Sequence, residues 1–418
     1  FLAKQDDLVL LINEVPTLYL KELMSNDMHI PELLAYCGPF DDPESPLRQR
    51  RLDSIVPWGW TNSLANRFAP LSDQVRFKAA DFKDLAEHQK TLASKVWITK
   101  RTSALLGAIP CAYRHHFMDA AVPQIANNLE TVSKVHKRLV ASGYETTVVK
   151  APFGTAGRNA RRMLGDPLED IRSKKWIERL IETQSEVIVE PWYDKVMDIS
   201  CVFEVDSNHR IKRLEFTHFE TDRQGQYLGT YLDDIRRTLP ETARHFIFQG
   251  ESDPNWLWKS LEKIVHTLSQ DFQKKHFAGY AGIDLLLCRD RDGALKLRAP
   301  LELNPRPTMG HIARAIGRKV DARASGMWLI FNRGHLKRLK LNDFGELESR
   351  LRARIGHKIR GKNERLRNGI IVTTPSSDAE MLWTCALITP TQTELRAVLD
   401  DCQVSVQRWS SQTNTCVS

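Results

Sequence analysis

The sequence LELNPRPTMG, residues Leu301–Gly310, places an acid and an amide two positions apart. If this stretch is a β-strand, Glu302 and Asn304 point to the same face, because strand side chains alternate between two faces. Leu301 and Leu303 then point into a core. A carboxylate and an amide oxygen are ligands that Mg²⁺ accepts when phosphates and water complete its coordination. The stretch therefore predicts part of a metal site.

Two prolines define where this strand stops. Pro305 and Pro307 cannot donate to a sheet ladder, so we expect the strand to end directly after Asn304. Arg306, between the prolines, is suited to bind a phosphate or a carboxylate. Taken alone, the ten residues also fit an ordinary amphipathic strand that runs into a proline turn.

A second strand upstream supplies another carboxylate. Asp284 lies in the apolar run GYAGIDLLL, where a carboxylate is costly to bury unless it is paired or bound to a metal. The Asp-Gly of RDRDG, residues Arg289–Gly293, predicts a hairpin turn between this run and Glu302. Two antiparallel strands would then bring Asp284, Glu302 and Asn304 to one point. We predict that these three residues bind Mg²⁺, with Mn²⁺ as the alternative.

A lysine and two glycines predict a phosphate-binding loop. Lys150 ends a strand rich in β-branched residues, and the loop that follows contains Gly154 and Gly157. Glycines let backbone N–H groups approach phosphate oxygens, and the lysine adds a positive charge. Thr155 can donate its hydroxyl, and Arg158 can follow the phosphates. The lysine precedes the glycines, so this is not a Walker loop; a plain hairpin turn is the alternative.

Taken together, these elements resemble the ATP-grasp superfamily of carboxylate–amine ligases. The resemblance covers roughly residues 90 to 330. The matching residues are Asp284, Glu302-Leu-Asn304-Pro-Arg-Pro, Lys150 with its glycine loop, Glu190-Pro-Trp192 and Asp198. The resemblance implies an α+β grasp core with a first lobe over residues 91–188 and a second lobe with the metal site over residues 189–335.

The segments on either side of the predicted core have their own patterns. An apolar run at Asp7–Asn13 and helical spacing over Val15–Met24 predict a doubly wound N-terminal α/β domain over residues 1–90. Apolar runs near the end of the chain predict a small C-terminal α/β subdomain over residues 336–418. The predicted fold class is therefore α/β, and a chain of 418 residues is expected to form two or three domains.

The resemblance also implies roles in nucleotide binding. A lysine on the first helix of the core reaches the ATP phosphates in these ligases; Lys95 fits that position best, with Lys100 as the alternative. Glu190 and Trp192 fall where the adenine edge is recognised. Asp198 corresponds to the acid that binds the ribose hydroxyls, although the family more often has glutamate there.

Three residues are implied to act at the reacting group. Arg306 and His311 fall where these ligases line the reacting carboxylate, and Arg158 would follow the transferred phosphate as the loop closes. His311 could equally cap the helix that follows it.

Two further segments lead to predictions. Residues 206–250 mix polar, aromatic and glycine residues without a helical period, which predicts a substrate-facing loop or lid. Asn255–Leu268 has the spacing of an amphipathic helix that covers the sheet. The candidate pocket residues in the loop are His218, Glu220, Arg223 and Tyr227.

Charge and cysteine content bear on partners and compartment. The net charge is +8, and residues 350–367 carry much of the excess. A solvated basic surface is the ordinary interpretation, and a nucleic-acid site is the alternative. The seven cysteines show no zinc or redox spacing, which favours a reducing, cytoplasmic setting. No apolar run is long enough to cross a bilayer. We expect small-molecule partners and no membrane partner, and a homo-oligomer is compatible with the sequence.

The resemblance implies an ATP-dependent ligase. A substrate carboxylate, of an amino acid or peptide, would attack the γ-phosphorus of ATP to give an acyl phosphate and ADP. An amine would then displace phosphate and form an amide. A kinase that uses the same ATP site on a hydroxyl is the first alternative, and a basic nucleic-acid-binding protein is the second.

Overall fold

The computed structural model describes residues 2–77, 80–119, 122–154, 159–222, 225–249, 253–361 and 363–404. The predicted phosphate-loop residues Thr155, Gly157 and Arg158 lie outside the described residues, as does the predicted pocket residue Arg223. Within these ranges, no helix combines the length and the apolar character needed to cross a membrane.

Helices and strands are mixed along the chain, and several strands or several helices follow one another directly. The helices are α1 (Thr17–Ser25), α2 (Asn62–Phe68), α3 (Phe82–Leu92), α4 (Lys95–Gly107), α5 (Leu129–Ala141), α6 (Ile171–Gln184), α7 (Ile235–Thr238), α8 (Glu241–Phe248), α9 (Trp256–Lys274), α10 (Met309–Gly317), α11 (Arg333–Leu339), α12 (Phe344–Ile355) and α13 (Gln392–Asp401). The strands are β1 (Leu8–Leu11), β2 (Glu32–Ala35), β3 (Gln124–Ala126), β4 (Thr147–Lys150), β5 (Ala160–Met163), β6 (Val187–Pro191), β7 (Asp194–Val205), β8 (Ile211–Thr221), β9 (Tyr227–Tyr231), β10 (Gly279–Arg289), β11 (Leu295–Asn304), β12 (Ser325–Asn332), β13 (Ile359–Arg360), β14 (Leu366–Val372) and β15 (Leu382–Thr389).

The hairpin of β10 and β11, which carries the predicted metal ligands, lies at one edge of the large sheet and is called the metal hairpin below. In the described part of the chain the strand order of this sheet is β11-β10-β7-β8-β9-β12-β15-β14-β13, and neighbouring strands are antiparallel. The predicted helix over Asn255–Leu268 is present as α9, which covers this sheet. Trp256 is fully buried there, whereas Trp258 is 45% exposed and contacts Phe216 edge-on.

The small sheet carries the predicted phosphate lysine. Its described strands are antiparallel and lie in the order β3-β6-β4-β5. Helices α5 and α6 cover one face, where Val132 and Ile177 pack against Val149 and Val189. Because side chains alternate along a strand, Lys150 at the end of β4 and Glu190 in β6 share the opposite face.

The N-terminal region contains the predicted strand and helix. β1 lies within its predicted segment, α1 ends one residue beyond its own, and β2 pairs with β1 in parallel, as expected for a βαβ unit. Phe40, Leu47 and Leu71 form a small core beneath this unit.

The C-terminal strands do not form a sheet of their own. β12 pairs along its whole length with β15, which in turn pairs with β14, so residues beyond 336 extend the large sheet. Helices α12 and α13 cover this end, where Trp383, Leu347 and Leu395 are buried. The C-terminal segment therefore shares its hydrogen-bond network with the predicted second lobe.

The prediction that residues 206–250 form a loop is wrong. This segment supplies β8, β9, α7 and α8, and β8 and β9 are interior strands of the large sheet. His218 and Glu220 in β8 are only 3% and 5% exposed. Polar residues that point into the protein conceal the usual alternation of apolar and polar residues, which is why the segment did not read as a strand.

Candidate functional site

The metal hairpin has the predicted register. Asp284 lies opposite Glu302, and Gly282 lies opposite Asn304, across antiparallel strands β10 and β11. The Asn304 amide donates from Nδ2 to Oδ2 of Asp284 at 3.0 Å. The turn closes where predicted, since Gly293 adopts a positive φ of 79° that glycine tolerates without strain. The three predicted ligands are therefore neighbours on one end of the hairpin.

The electrostatics of this cluster suit a cation. Burial, followed by the charge of Glu302, raises the pKa of Asp284 to about 7. Two carboxylates in one partly buried place oppose each other's ionisation, and a cation would relieve that repulsion. In the described residues no group of three or more His, Cys, Asp and Glu side chains is arranged to hold a metal. A metal here would therefore need the amide oxygen of Asn304 as well as the two carboxylates.

Lys95 connects the metal hairpin to the start of the glycine loop. Ser94 caps α4 by accepting from the N–H of Trp97, which makes Lys95 the first helical residue. Its Nζ lies 3.0 Å from Oε1 of Glu302 and donates to the carbonyl of Gly154 at 2.9 Å. The alternative candidate, Lys100, instead pairs with Glu186 at 3.0 Å. Of the two lysines, Lys95 is the one beside the metal hairpin.

Lys150 belongs to a buried charge cluster that joins the two sheets. Its Nζ pairs with Oε1 of Glu190, a residue only 2% exposed. Arg298 of β11 approaches the other oxygen, with Nη2 3.4 Å from Oε2. Burial alone would raise the pKa of Glu190, but the charges of Lys150 and Arg298 outweigh it and lower that pKa. The carboxylate is therefore ionised and paired on both sides.

Trp192 follows the predicted hinge strand and is 37% exposed. Its backbone N–H donates to the carbonyl of Thr146 at 2.8 Å. The guanidinium of Arg162 lies 3.7 Å from the centre of its indole ring, a cation–π contact. The N–H of Trp192 is thus used within the sheet, while its ring stays accessible beside β5.

Asp198, predicted to bind ribose, lies on β7 and is buried. Its Oδ2 accepts from Lys195 Nζ at 2.8 Å and from the Thr221 hydroxyl at 2.9 Å. These two donors fix the orientation of the carboxylate.

The proline–arginine turn also contacts the N-terminal region. Arg306 donates from Nη2 to Oδ1 of Asn304 at 3.2 Å and from Nη1 to the carbonyl of Pro307 at 3.1 Å. Gln89 of α3 donates to the carbonyl of Pro305 and accepts from the N–H of Trp60. Arg306 is therefore placed directly beside the metal hairpin.

His311 uses both ring nitrogens within the fold. Nδ1 accepts from the backbone N–H of Thr308 at 3.1 Å, and Nε2 lies 3.2 Å from the carbonyl of Phe203. These contacts require a proton on Nε2 and none on Nδ1. Burial lowers the pKa of His311 to about 4, so the ring is neutral near pH 7. The geometry matches the helix-capping alternative for this residue.

Sequence reasoning missed Arg298, Lys195 and Gln89. Arg298 lies two positions after Lys296 in the alternating run LKLR, a pattern that predicts an exposed side chain. Its burial beside Glu190 therefore had no signal in the sequence. Lys195 and Gln89 have no distinguishing pattern either.

Comparisons with known proteins establish the fold. No protein-family model matches the chain, and no curated protein sequence matches it. Among solved structures, the N5-carboxyaminoimidazole ribonucleotide synthetase from Thermus thermophilus has a TM-score of 0.51 at 10% identity, covering 97% of this chain and 93% of the other. An ADP complex of N5-carboxyaminoimidazole ribonucleotide synthetase has a TM-score of 0.50 at 10% identity, covering 96% and 89%. These synthetases belong to the ATP-grasp superfamily. The chain thus has the ATP-grasp fold that its sequence resemblance implied.

Proposed function

We propose that this protein is an ATP-dependent carboxylate–amine ligase that acts through an acyl phosphate and releases ADP and phosphate. The observation that carries the proposal is the convergence of Asp284, Glu302 and Asn304 with Lys95 at one end of the metal hairpin. A magnesium-bound nucleotide suits this arrangement, which combines two acids, an amide and a lysine with the strand-end lysine and its glycine loop.

The residues would divide the work between the two ends of the nucleotide. Lys95 and Lys150 hold the phosphates, together with the loop that begins at Gly154. Asp198 and the hinge at Glu190 and Trp192 would form the nucleoside end of the site. Arg306, beside Asn304, would neutralise charge on the phosphoryl group during transfer. Positioning and charge stabilisation supply most of the catalysis in phosphoryl transfer. Arg158, Thr155 and Gly157 remain predicted contributors on the loop.

Asp284, Glu302 and Asn304 would hold Mg²⁺ or Mn²⁺. The metal, when bound, would act as a Lewis acid that offsets charge on the phosphates. In this structure Asn304 directs its amide nitrogen toward Asp284. To bind a metal there through its oxygen, the amide group would have to turn over. An amino acid or a small peptide is the proposed acid or amine.

The proposal is tested by measuring ADP formation while amino acids and small peptides are supplied in pairs. The wild type is expected to release ADP faster with one acid–amine pair. Glu302→Gln is expected to lower that rate by roughly a hundredfold or more, because the lost charge would hold the metal and also pairs with Lys95. Glu186→Gln is the matched control, since Glu186 pairs with the outward Lys100 and should keep the wild-type rate.

Equal ADP release by the wild type and Glu302→Gln would contradict the site assignment. A stable phosphorylated alcohol as product, formed without an amine, would replace the ligase by a kinase that uses the same nucleotide site. Product analysis by mass spectrometry distinguishes the two, because a ligase product contains a new amide and free phosphate.

A further inference from the structure

We propose that Arg298 is a reserve counter-ion for Glu190, which leaves Lys150 free to pair with an anionic ligand such as a nucleotide phosphate. This inference rests on the proposed function. It assigns a positioning role to a residue that does not belong to the metal hairpin or the glycine loop.

The geometry places one carboxylate between two cations from different sheets. Lys150 comes from β4 of the small sheet and pairs with Oε1 of Glu190. Arg298 comes from β11 of the large sheet and approaches Oε2 at 3.4 Å. A second donor of Arg298, Nη1, contacts the carbonyl of Pro300 at 2.6 Å and anchors the guanidinium. The two oxygens of Glu190 are therefore served by independent partners.

The surroundings make an unpaired charge at this place costly. Arg298 is 3% exposed and Glu190 2%. Tyr193, which packs with Met118, Leu286 and Cys288, is near enough that the charge of Glu190 adds to burial in raising the pKa of its phenol. In such an environment a lone carboxylate loses its solvation without compensation. Glu190 must therefore keep at least one cation at all times.

Lys150 is the partner that can leave. Its side chain is 23% exposed, whereas that of Arg298 is 4% exposed and anchored at Pro300. Lys150 also stands at the strand end that leads into the glycine loop. The cluster of one anion and two cations carries one excess positive charge, which an incoming phosphate would balance. If Lys150 turns to the phosphate, Arg298 keeps Glu190 paired.

Without Arg298, the same movement would leave Glu190 buried and unpaired. Lys150 would then be the sole counter-ion of Glu190, and an anionic ligand would have to compete with Glu190 for Lys150. Removing Arg298 is therefore expected to weaken nucleotide binding through Glu190, even though Arg298 itself need not touch the ligand. A residue that merely joined the two sheets would not show this dependence on the charge of Glu190.

The test is a double-mutant cycle read by the dissociation constant of ADP with Mg²⁺, measured by calorimetry. Arg298→Met is expected to weaken ADP binding at least tenfold in the wild-type background. In the Glu190→Gln background the same change is expected to alter binding less than threefold, because a neutral amide no longer holds Lys150. Inorganic tripolyphosphate repeats the cycle without the nucleoside. Arg354→Met, which removes the partner of Asp401 near the end of the described chain, serves as the arginine control.

The outcomes separate this inference from the function. If the wild type does not bind ADP or tripolyphosphate, both the proposed function and the inference fail. If it binds ADP and Arg298→Met binds within threefold of it, only the inference fails. An equal loss of ADP affinity in both backgrounds would mean that Arg298 only connects the two sheets, and it would overturn the proposal. If Arg298→Met alone does not fold, the double variant Arg298→Met/Glu190→Gln is compared with Glu190→Gln. A tenfold difference between their dissociation constants for ADP overturns the inference.

Discussion

Two lysines on α4 show how position within one helix changes a residue's role. Lys95 begins the helix and lies between the Glu302 carboxylate and the Gly154 carbonyl. Lys100 is further along the same helix and pairs with Glu186. An exposed pair of this kind contributes little to stability. The charge of Lys95, in contrast, lies where phosphates are proposed to bind.

We expect Lys95→Met to raise the KM for ATP by roughly tenfold to a hundredfold, because a charge-assisted contact to phosphate is lost. Lys100→Met, on the same helix with a side chain of the same size, should leave KM within about threefold of the wild type. Steady-state ADP formation at varied ATP concentration measures both. A similar KM for the two variants would speak against a phosphate contact by Lys95.

A buried histidine gives the protein a predictable response to acid. His335 accepts the backbone N–H of Asn332 at 3.1 Å and so caps α11. Burial, with a smaller contribution from the charge of Arg338, lowers the pKa of His335 to about 4, below the usual value near 6.5. The unfolded chain therefore binds more protons between these two pH values, and stability falls as pH is lowered through that window.

Replacing His335 by glutamine should remove part of this response. Glutamine can still accept the N-cap hydrogen bond but does not titrate. Between pH 6.5 and pH 4, His335→Gln is expected to lose roughly 2 kcal/mol less stability than the wild type, allowing for partial solvent screening. Urea unfolding at a series of pH values measures the difference, with the exposed His245→Gln as the control. Parallel pH curves for wild type and His335→Gln would refute the assignment.

At the scale of elements, α10 approaches the large sheet very closely. A Cβ built on Gly310 would lie 2.9 Å from Cγ1 of Val202 and 3.1 Å from Oγ1 of Thr217. Val202 and Thr217 are buried in β7 and β8, so neither has room to move away. Because Gly310 has no side chain, the first turn of α10 and the preceding Pro305–Pro307 turn can lie this close to the sheet.

Gly310→Ala should push the start of α10 away from the sheet. We expect a loss of about 1–3 kcal/mol in stability, as is common for overpacked cores, and a lower rate of ADP formation because Arg306 shifts with the helix. Gly107→Ala, at the end of α4 with no atom within 4 Å of the added Cβ, should be neutral or stabilise by up to about 1 kcal/mol. Thermal unfolding compares the two, and equal effects would argue against close packing at Gly310.

The hairpin could be predicted from the sequence, while the charge cluster behind it could not. The Asp-Gly turn and the strand period together determine which residues of β10 and β11 face each other, so Asp284 and Glu302 were placed correctly. Both cues are local. Arg298 and Glu190 lie 108 positions apart on different sheets, and nothing local links them. β8 was missed for a different reason: its inward side chains include His218 and Glu220, which contact each other and Tyr231, so the usual alternation of apolar and polar residues is hidden.

At the scale of the molecule, the basic segment 350–367 contacts acidic residues and carbonyls of its own chain. Arg352 pairs with Glu22 of α1 and with Glu348, and Arg360 pairs with Asp27 just after α1. Arg354 pairs with Asp401 at 2.6 Å. Arg352 and Arg360 thus fasten the N-terminal helix to the C-terminal part of the chain, and pairing of these arginines reduces the positive charge offered to a nucleic acid.

Glu22→Gln is expected to lower stability by a few tenths to about 1 kcal/mol, because a partly exposed ion pair is lost. The difference from the wild type should shrink at high salt, where such pairs are screened. Thermal unfolding at low and at high salt measures this, with Glu262→Gln on the exposed face of α9 as the control. A loss that does not depend on salt would indicate packing of the Glu22 side chain rather than its charge.

The continuity of the large sheet limits how this protein can be divided. β12 uses all eight of its positions to pair with β15, and its other side pairs with β9 beside the grasp core. A chain shortened after residue 335 would expose a long apolar strand edge, from Met327 to Phe331, to solvent and to other molecules. Such edges recruit further strands, so the shortened protein should aggregate instead of yielding an independent catalytic module. Evolutionary exchange of the C-terminal segment would meet the same obstacle unless the incoming piece brought a strand of matching length.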